Sequence, residues 1–206
     1  NRPFTSQVKL IKVDEETGKT VTLNGASFKI KNSEGNYVVQ KVAGQKIDTF
    51  TTNSKNQVIT SFGKLGEVTL PLELDAGTYT VEEIKVPDDF LELEEPITFT
   101  ITNQHDYDMD EDETPILTIK VANAQPKGKI IINKTDKETG NAMTDIEYLL
   151  TAKNDIVSGI DGSILFKKGE TVAKGKTDVN GQIIIDDLFM GEYELKETLT
   201  LSLIHI

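Results

Sequence analysis

The stretch VKLIKVDEETG, from Val8 to Gly18, has the pattern of a β-strand that runs into a turn. Because side chains alternate between the two faces of a strand, Val8, Leu10 and Lys12 share one face. A lysine at the end of an apolar face is unexpected, since burying an unpaired ammonium group costs free energy. The same arrangement recurs in KIIINKTDKETG, where Lys134 follows a run of isoleucines. We therefore expect one explanation for both lysines.

The rest of the chain has the pattern of an all-β protein. Short segments rich in Val, Ile, Thr and Tyr alternate with Gly, Asn and Asp turn signals, which is typical of a β-sandwich or barrel. No segment keeps a helical period over a useful length. The segment 45–56 is ambiguous between a loop and a short helical turn. In the first half of the chain, strands are predicted at 7–13, 26–31, 36–41, 57–61, 67–72, 77–84, 96–102 and 115–123.

An internal repeat divides the chain. KVDEETGK at 12–19 matches KTDKETGN at 134–141, and GTYTVEE at 77–83 matches GEYELKE at 191–197. Two pairs of matching segments, in the same order and at similar separations, indicate two copies of one domain with loops of different length.

The strand pattern is interrupted near Pro126, and we place the domain junction there. The first domain is predicted at 1–125 and an incomplete, C-terminally truncated second domain at 126–198. The chain then becomes apolar, and we expect 199–206 to be a non-native tail. Because the chain begins with an asparagine and no signal peptide precedes the first strand, we interpret it as a fragment.

Composition excludes several classes of function. A net charge of -12 disfavours binding to nucleic acid and to anionic membrane surfaces. The absence of cysteine excludes disulfides, thiolate catalysis and cysteine-ligated zinc, and two histidines offer little for a triad or a metal site. No apolar run approaches the length of a membrane span. The acidic run Asp106–Glu113 lacks the glycine and the terminal glutamate of a calcium loop, so we predict a solvated hairpin loop and no metal site.

Three polar side chains of the first repeat lie on apolar strand faces. By the two-residue period, Glu83 shares a face with Tyr79, and Asn123 shares a face with Val121. Together with Lys12, they come from the first strand, a late strand and the last strand of the domain. We expect all three to point into the core.

Two interpretations fit this set. The first is a buried ion pair between Lys12 and Glu83 beside a hydrogen-bonded amide, which adds little net stability because desolvation offsets attraction. The second is covalent. A desolvated lysine loses its proton readily, and the neutral amine can attack the side-chain carbonyl of Asn123. A glutamate kept neutral by burial can pass protons to the leaving ammonia. We favour this single-turnover isopeptide bond, which needs no cofactor and involves no other enzyme activity.

The segments LIKVDEETGK, GTYTVEEIKVPDDF and LTIKVANAQP resemble the signature segments of Cna-B-type (SpaA-like) repeats of Gram-positive surface adhesins and pilins. The resemblance covers 7–125 well and 128–198 in part. It implies two tandem Ig-like or prealbumin-like β-sandwich domains. It also maps the family's crosslinking lysine, proton-shuttling glutamate and acceptor asparagine onto Lys12, Glu83 and Asn123.

The second repeat supplies only two of these three residues. Lys134 and Glu197 are the counterparts of Lys12 and Glu83, and Glu197 is therefore the equivalent catalytic glutamate. No asparagine follows Glu197. We therefore expect Lys134 to remain an unpaired reactive lysine.

The resemblance implies a structural role outside the cell, as a stalk segment of a secreted, cell-wall-anchored adhesin or pilin. Its expected partners are the neighbouring domains of the same surface protein. The alternative is a ligand-binding adhesive domain, in which loops such as 42–56 or 104–114 contact host or neighbouring-cell molecules. A conventional enzyme is disfavoured because the candidate titratable groups are assigned to the core.

Overall fold

The computed structural model describes residues 3–60 and 63–198, and this part of the chain contains strands and no helix. Accordingly, no helix in these ranges could cross a membrane. The chain divides into two compact units between Gln125 and Pro126, with Gly159–Asp161 grouped with the first. The predicted all-β class with tandem sandwich units is confirmed.

The first unit is built from two sheets and a small hairpin. One sheet has the strand order β10-β11-β1-β6, with β7 also pairing with β1, and the other has the order β5-β2-β8-β9. The hairpin joins β3 and β4. The strands are β1 (Thr5–Asp14), β2 (Ser27–Asn32), β3 (Gln40–Val42), β4 (Gln45–Ile47), β5 (Phe50–Thr51), β6 (Glu67–Thr69), β7 (Leu74–Asp75), β8 (Gly77–Lys85), β9 (Ile97–Ile101), β10 (Asp108–Met109) and β11 (Pro115–Asn123).

Strand β1 occupies the middle of its sheet. It runs parallel to β11 from the pair Gln7–Ile116 to the pair Asp14–Asn123, and antiparallel to β6 on its other edge. Its alternate side chains from Ser6 to Lys12 are buried, as the two-residue period predicts. The first and last strands of the unit therefore lie side by side, and their C-terminal ends coincide.

The core lies between the two sheets, and its apolar side chains come from both of them. Leu10 and Val121 of the first sheet and Phe28, Ile30 and Val81 of the second are completely buried. Burial of such side chains supplies the main favourable free energy of folding. The C-terminal end of β1 is also buried, and Lys12 lies there.

The strand predicted at 57–61 is wrong for the described residues 57–60. Two of its backbone amides bond to the side chain of Asn53 instead, whose Oδ1 accepts from Ile59 and Thr60 at 2.8 and 3.0 Å. Backbone groups that bond to a side chain are not available to a sheet ladder. The segment therefore forms an anchored loop rather than a strand.

Other predicted strands are present with altered ends. The segment 36–41 becomes a strand only from Gln40, and the ambiguous segment 45–56 contains β4 and β5. Strand β6 ends at Thr69 instead of residue 72. The side-chain amide of Gln40 bonds the backbone of Leu72 in both directions, at 2.8 and 3.0 Å, so these groups cannot continue the strand.

The second unit also has two principal sheets. Strand β12 pairs with β17, and the second sheet has the order β16-β13-β18, while β14 and β15 form a hairpin. Leu150, Ile185 and Leu188 are its buried apolar centre. Within the described part of this unit, no strand pairs with the other edge of β12. The strands are β12 (Lys127–Asn133), β13 (Glu147–Ala152), β14 (Ile156–Val157), β15 (Ile164–Phe166), β16 (Thr171–Lys176), β17 (Gln182–Phe189) and β18 (Tyr193–Glu197).

Candidate functional site

Lys12 is completely buried and is one of the largest buried side chains among the described residues. It stands near the end of β1, where its position between β11 and β6 shields it from water. Its Nζ donates hydrogen bonds to Asn123 Oδ1 at 2.7 Å, to the carbonyl of Val121 at 3.0 Å and to the carbonyl of Val13 at 3.2 Å. These three oxygens match the three donors of an ammonium group, but none of them carries a full negative charge.

Asn123 is the last residue of β11 and is 2% exposed. Its two amide ends have different partners. Oδ1 accepts from Lys12, whereas Nδ2 donates to Glu83 Oε2 at 2.6 Å and to the carbonyl of Leu91 at 2.8 Å. The amide therefore lies between the lysine and the glutamate, with its oxygen towards the amine and its nitrogen towards the carboxyl group.

Glu83 approaches Asn123 from the other sheet. It lies on β8 opposite Phe28, and its Oε1 is buried without a hydrogen-bond partner. A carboxylate oxygen in that position is costly, whereas a neutral carboxyl group tolerates it better. Burial raises the pKa of Glu83, although the hydrogen bond from Asn123 and the charge of Lys12 oppose the shift.

The pKa of Lys12 is shifted in the opposite direction. Burial lowers it from 10.5 to about 8, while the charges of Glu83 and Asp14 act to raise it. At neutral pH about one-tenth of the lysines are then uncharged, which is far more than for a lysine in water. The site therefore shifts both groups towards their neutral forms, which are the forms that a nucleophilic amine and a proton-donating acid need.

The connection after β8 covers this site. The ring centroid of Phe90 lies 5.5 Å from Lys12 Nζ, and Phe90 is itself buried. The adjoining Leu91 contributes its carbonyl group to Asn123. The period of the strands did not reveal either residue, because both lie in a loop. The only sequence signal was that the segment IKVPDDF follows directly after Glu83.

In the second unit, the structure brings Lys134 and Glu197 together as an ion pair at 3.2 Å. Both side chains are about one-third exposed, in contrast to Lys12. Lys134 also lies just beyond β12, which ends at Asn133. Within the described part of this unit, no asparagine bonds to either residue. This site therefore has counterparts of the lysine and the glutamate of the first unit, but the described residues provide no counterpart of Asn123.

The loops of the alternative, adhesive interpretation carry little exposed apolar surface. In 42–56, Phe50 is buried and no large hydrophobic side chain is strongly exposed. In 104–114, Met109 is the exposed one, at 60%. Such isolated exposed residues are ordinary features of a protein surface.

The model of the SpaA prealbumin-like fold domain matches residues 6–114 and 128–202 of this chain. No curated protein matches it. Among solved structures, the Bacillus anthracis TIE protein is similar, with 22% identity and a TM-score of 0.62 over 95% of this chain and 29% of that chain. This likeness supports the fold.

Two pilins are also similar. The Streptococcal ancillary pilin is 20% identical, with a TM-score of 0.40 over 95% of this chain and 54% of that chain. The shaft pilin SpaA of Lactobacillus rhamnosus GG is 15% identical, with a TM-score of 0.35 over 96% of this chain and 89% of that chain. The chain thus spans less than two thirds of the TIE protein and of the ancillary pilin.

Proposed function

We propose that this chain, which belongs to the SpaA family of prealbumin-like fold domains, is a structural stalk segment of a Gram-positive surface adhesin or pilin. Its first unit is closed by an intramolecular isopeptide bond between Lys12 and Asn123. The observation that carries the proposal is the continuous chain of hydrogen bonds from the buried amine of Lys12 through the amide of Asn123 to the carboxyl group of Glu83.

The reaction needs only these three side chains. Neutral Lys12 Nζ attacks Cγ of Asn123, and a C–N bond forms as the carbonyl electrons move to Oδ1. Protonated Glu83 gives its proton to Nδ2, and the bond between Cγ and Nδ2 breaks as the carbonyl re-forms. The surplus proton of the lysine nitrogen returns to Glu83. One ammonia leaves, Glu83 is regenerated, and the lysine and asparagine are joined by an amide.

The fold supplies most of the acceleration. Lys12 Nζ is already 2.7 Å from Asn123 Oδ1, one bond away from the carbon that it attacks. Holding two reactants in such a position removes the entropic cost of bringing them together. Glu83 Oε2 is 2.6 Å from the nitrogen that leaves, within reach for direct proton transfer.

The bond suits a protein that carries tension. It ties β1 to β11, the first and last strands of the unit, through residues 111 positions apart. Force applied at the two ends of the unit then passes through the crosslink and leaves the intervening strands folded. Closing a loop of about a hundred residues is also worth ~4.7 kcal/mol in the chain-entropy model.

The proposed location is the outer surface of the cell, with anchoring to the cell wall through the protein of which this segment is a part. The pilin relatives support this location, and the acidic, cysteine-free composition suits it. The proposed partners are the neighbouring domains of the same surface protein. Held end to end with them, the units would set a binding tip away from the cell.

Single-molecule pulling on the whole chain tests this function. The wild-type chain should extend less than the Glu83→Gln chain, because the residues between Lys12 and Asn123 stay locked behind the bond. The expected difference is about 380 Å of contour length, at ~3.4 Å per residue.

The matched control is Glu82→Gln, which removes the neighbouring carboxylate on the opposite face of β8, where it pairs with Lys31. This chain should extend as little as the wild type. Equal extension of the wild-type and Glu83→Gln chains would contradict the stalk proposal.

A further inference from the structure

We propose that the main-chain carbonyl of Leu91 is a positioning group that makes this site accept an asparagine rather than an aspartate. The inference rests on the proposed isopeptide reaction and adds a specificity element to it. Leu91 lies in the connection between β8 and β9, outside the strands that carry Lys12, Glu83 and Asn123.

Two backbone contacts hold Leu91 beside the acceptor. Its amide donates to the carbonyl of Ala124 at 2.8 Å, and its carbonyl accepts from Asn123 Nδ2 at 2.8 Å. The Leu91 side chain is half-exposed. Leu91 therefore acts on the site through its backbone, and the site does not require a leucine side chain there.

The turn before Leu91 directs this carbonyl towards the site. Phe90 donates its amide to the carbonyl of Pro87 at 3.3 Å, and Asp89 takes a left-handed backbone conformation with φ of 67°. The buried ring of Phe90 packs over Lys12. The connection therefore contacts the site on two sides. The ring of Phe90 lies beside Lys12, and the carbonyl of Leu91 bonds the nitrogen of Asn123 that leaves as ammonia.

A carbonyl oxygen can only accept a hydrogen bond, so the group that faces Leu91 must be a donor. The amide nitrogen of Asn123 has two N–H donors, and the site offers it two acceptors, Leu91 O and Glu83 Oε2. Both donors are satisfied in this orientation. A flipped amide would set its oxygen against the carbonyl of Leu91, which cannot donate, so the stable orientation has Oδ1 towards Lys12.

An aspartate cannot reproduce this arrangement. The oxygen that replaced Nδ2 would carry at most one proton, and it would face two oxygens at hydrogen-bond distance. A neutral acid would have to give its single proton to the carbonyl of Leu91 and could no longer donate to Glu83, whereas an ionised acid would be repelled by that carbonyl. The attack would also have to expel water instead of ammonia. We therefore expect the Asn123→Asp chain to form the bond at least about tenfold more slowly than wild type.

The contribution of the carbonyl can be measured with a backbone ester. Position 92 is exposed, and the Glu92 amide makes no backbone hydrogen bond in the described structure. Placing the α-hydroxy analogue of tyrosine at position 92 converts the carbonyl of Leu91 to an ester carbonyl, which is a weaker acceptor. The matched control has ordinary tyrosine there, Glu92→Tyr. Bond formation is followed by mass after pulsed cell-free synthesis of the whole chain.

The ester chain should form the bond roughly threefold to tenfold more slowly than the Glu92→Tyr chain, as expected for a weakened neutral hydrogen bond. The decisive quantity is the ratio of the rates with asparagine and with aspartate at position 123. This ratio should fall in the ester background, because the carbonyl that opposes aspartate is weaker. General damage to the fold would slow both reactions alike and leave the ratio unchanged.

An unchanged ratio, or an ester chain as fast as its control, would overturn the inference about Leu91 while leaving the isopeptide reaction intact. Failure of the reaction itself looks different, since the wild-type chain would then keep its ammonia. The Leu91→Ala chain should react at the wild-type rate, because it keeps the carbonyl. A slow Leu91→Ala chain would also count against the assignment, since it would place the effect in the side chain.

Discussion

A completely buried lysine is costly to the first unit in its charged form. Lys12 has carbonyl partners around it, but burial still disfavours its charge and lowers its pKa to about 8. Conversion to a neutral amide would remove this cost and keep the side chain in place. The proposed reaction thus explains why a lysine, Lys12, stands at the end of an apolar strand face.

In a chain that cannot form the bond, Lys12 should keep its unfavourable burial. The free energy of unfolding of that chain should therefore depend on pH. In Asn123→Ala, the pKa of Lys12 is expected near 8 in the folded state and 10.5 when unfolded. Below pH 8 both states hold the proton. Between the two values the unfolded state binds more protons, so the free energy of unfolding should rise with pH, by up to about 3 kcal/mol.

Urea unfolding at several pH values from 8 to 10.5 measures this effect. The matched control adds Lys12→Met to Asn123→Ala, which removes the titrating group but keeps Glu83 and Asp14. The difference in slope between the two chains isolates the lysine. Parallel pH profiles, or a stability that falls with pH only when Lys12 is present, would show that the lysine is not desolvated in this way.

At the scale of elements, the pairing of β1 with β11 accounts for the meeting of distant residues. Their parallel register sets Asp14 opposite Asn123 and Lys12 opposite Val121. The lysine reaches across to the neighbouring strand's end, and β8 brings its glutamate from the opposite sheet. Each of the three strands carries one residue of the site, and the three residues are far apart in the sequence, so only the tertiary fold brings them together.

The two-residue period of strands made much of this arrangement predictable. It placed Lys12, Glu83 and Asn123 on inward faces, and the structure has them in contact. The period says nothing about loops, where side chains and backbone groups meet through tertiary contacts. For that reason the backbone role of Leu91 and the capture of residues 59–60 by Asn53 were not foreseen.

Among the described residues of the second unit, β12 pairs with a strand on one edge only, and its apolar side chains are less buried than those of β1. Ile130 and Ile132 are only partly buried, whereas their counterparts Val8 and Leu10 are completely buried. Leu195 is 38% exposed, although the corresponding Val81 has no exposure. An open strand edge beside a bare apolar face is a template for another strand.

A peptide with the sequence of β11, from Pro115 to Asn123, should therefore bind β12 in parallel. Its asparagine would come beside the ion pair of Lys134 and Glu197, and we expect it to couple to Lys134 with loss of one ammonia. The reaction should be slow, because both residues are more exposed than Lys12 and Glu83 and no described loop corresponds to Leu91. Mass spectrometry of the chain and of its proteolytic fragments would locate the adduct.

Two controls separate strand addition from covalent coupling. A peptide with alanine in place of the asparagine should still bind but never couple, and the Lys134→Ala chain should bind the original peptide without an adduct. If the original peptide binds and leaves Lys134 unmodified after prolonged incubation, the second unit lacks a competent site. An adduct at any other lysine would also contradict the assignment.

At the scale of the whole molecule, the position of the bond matters more than its strength. A crosslink between strands that follow each other in the sequence would protect only a hairpin, whereas one between β1 and β11, the first and last strands, encloses almost the entire first unit. The second unit, with its exposed ion pair and open edge, has no comparable closure in the described residues. We therefore expect the two units to differ sharply in resistance to force.

The mass of the intact, folded chain tests the central claim most directly. The wild-type chain should be lighter than its sequence by one ammonia, and proteolysis should yield a branched peptide that joins Lys12 to Asn123. The Lys12→Ala, Asn123→Ala and Glu83→Gln chains should each keep their full sequence mass, while Glu82→Gln should lose the ammonia as wild type does. A folded wild-type chain with its full mass would contradict the account and leave Lys12, Asn123 and Glu83 as a cluster joined only by hydrogen bonds.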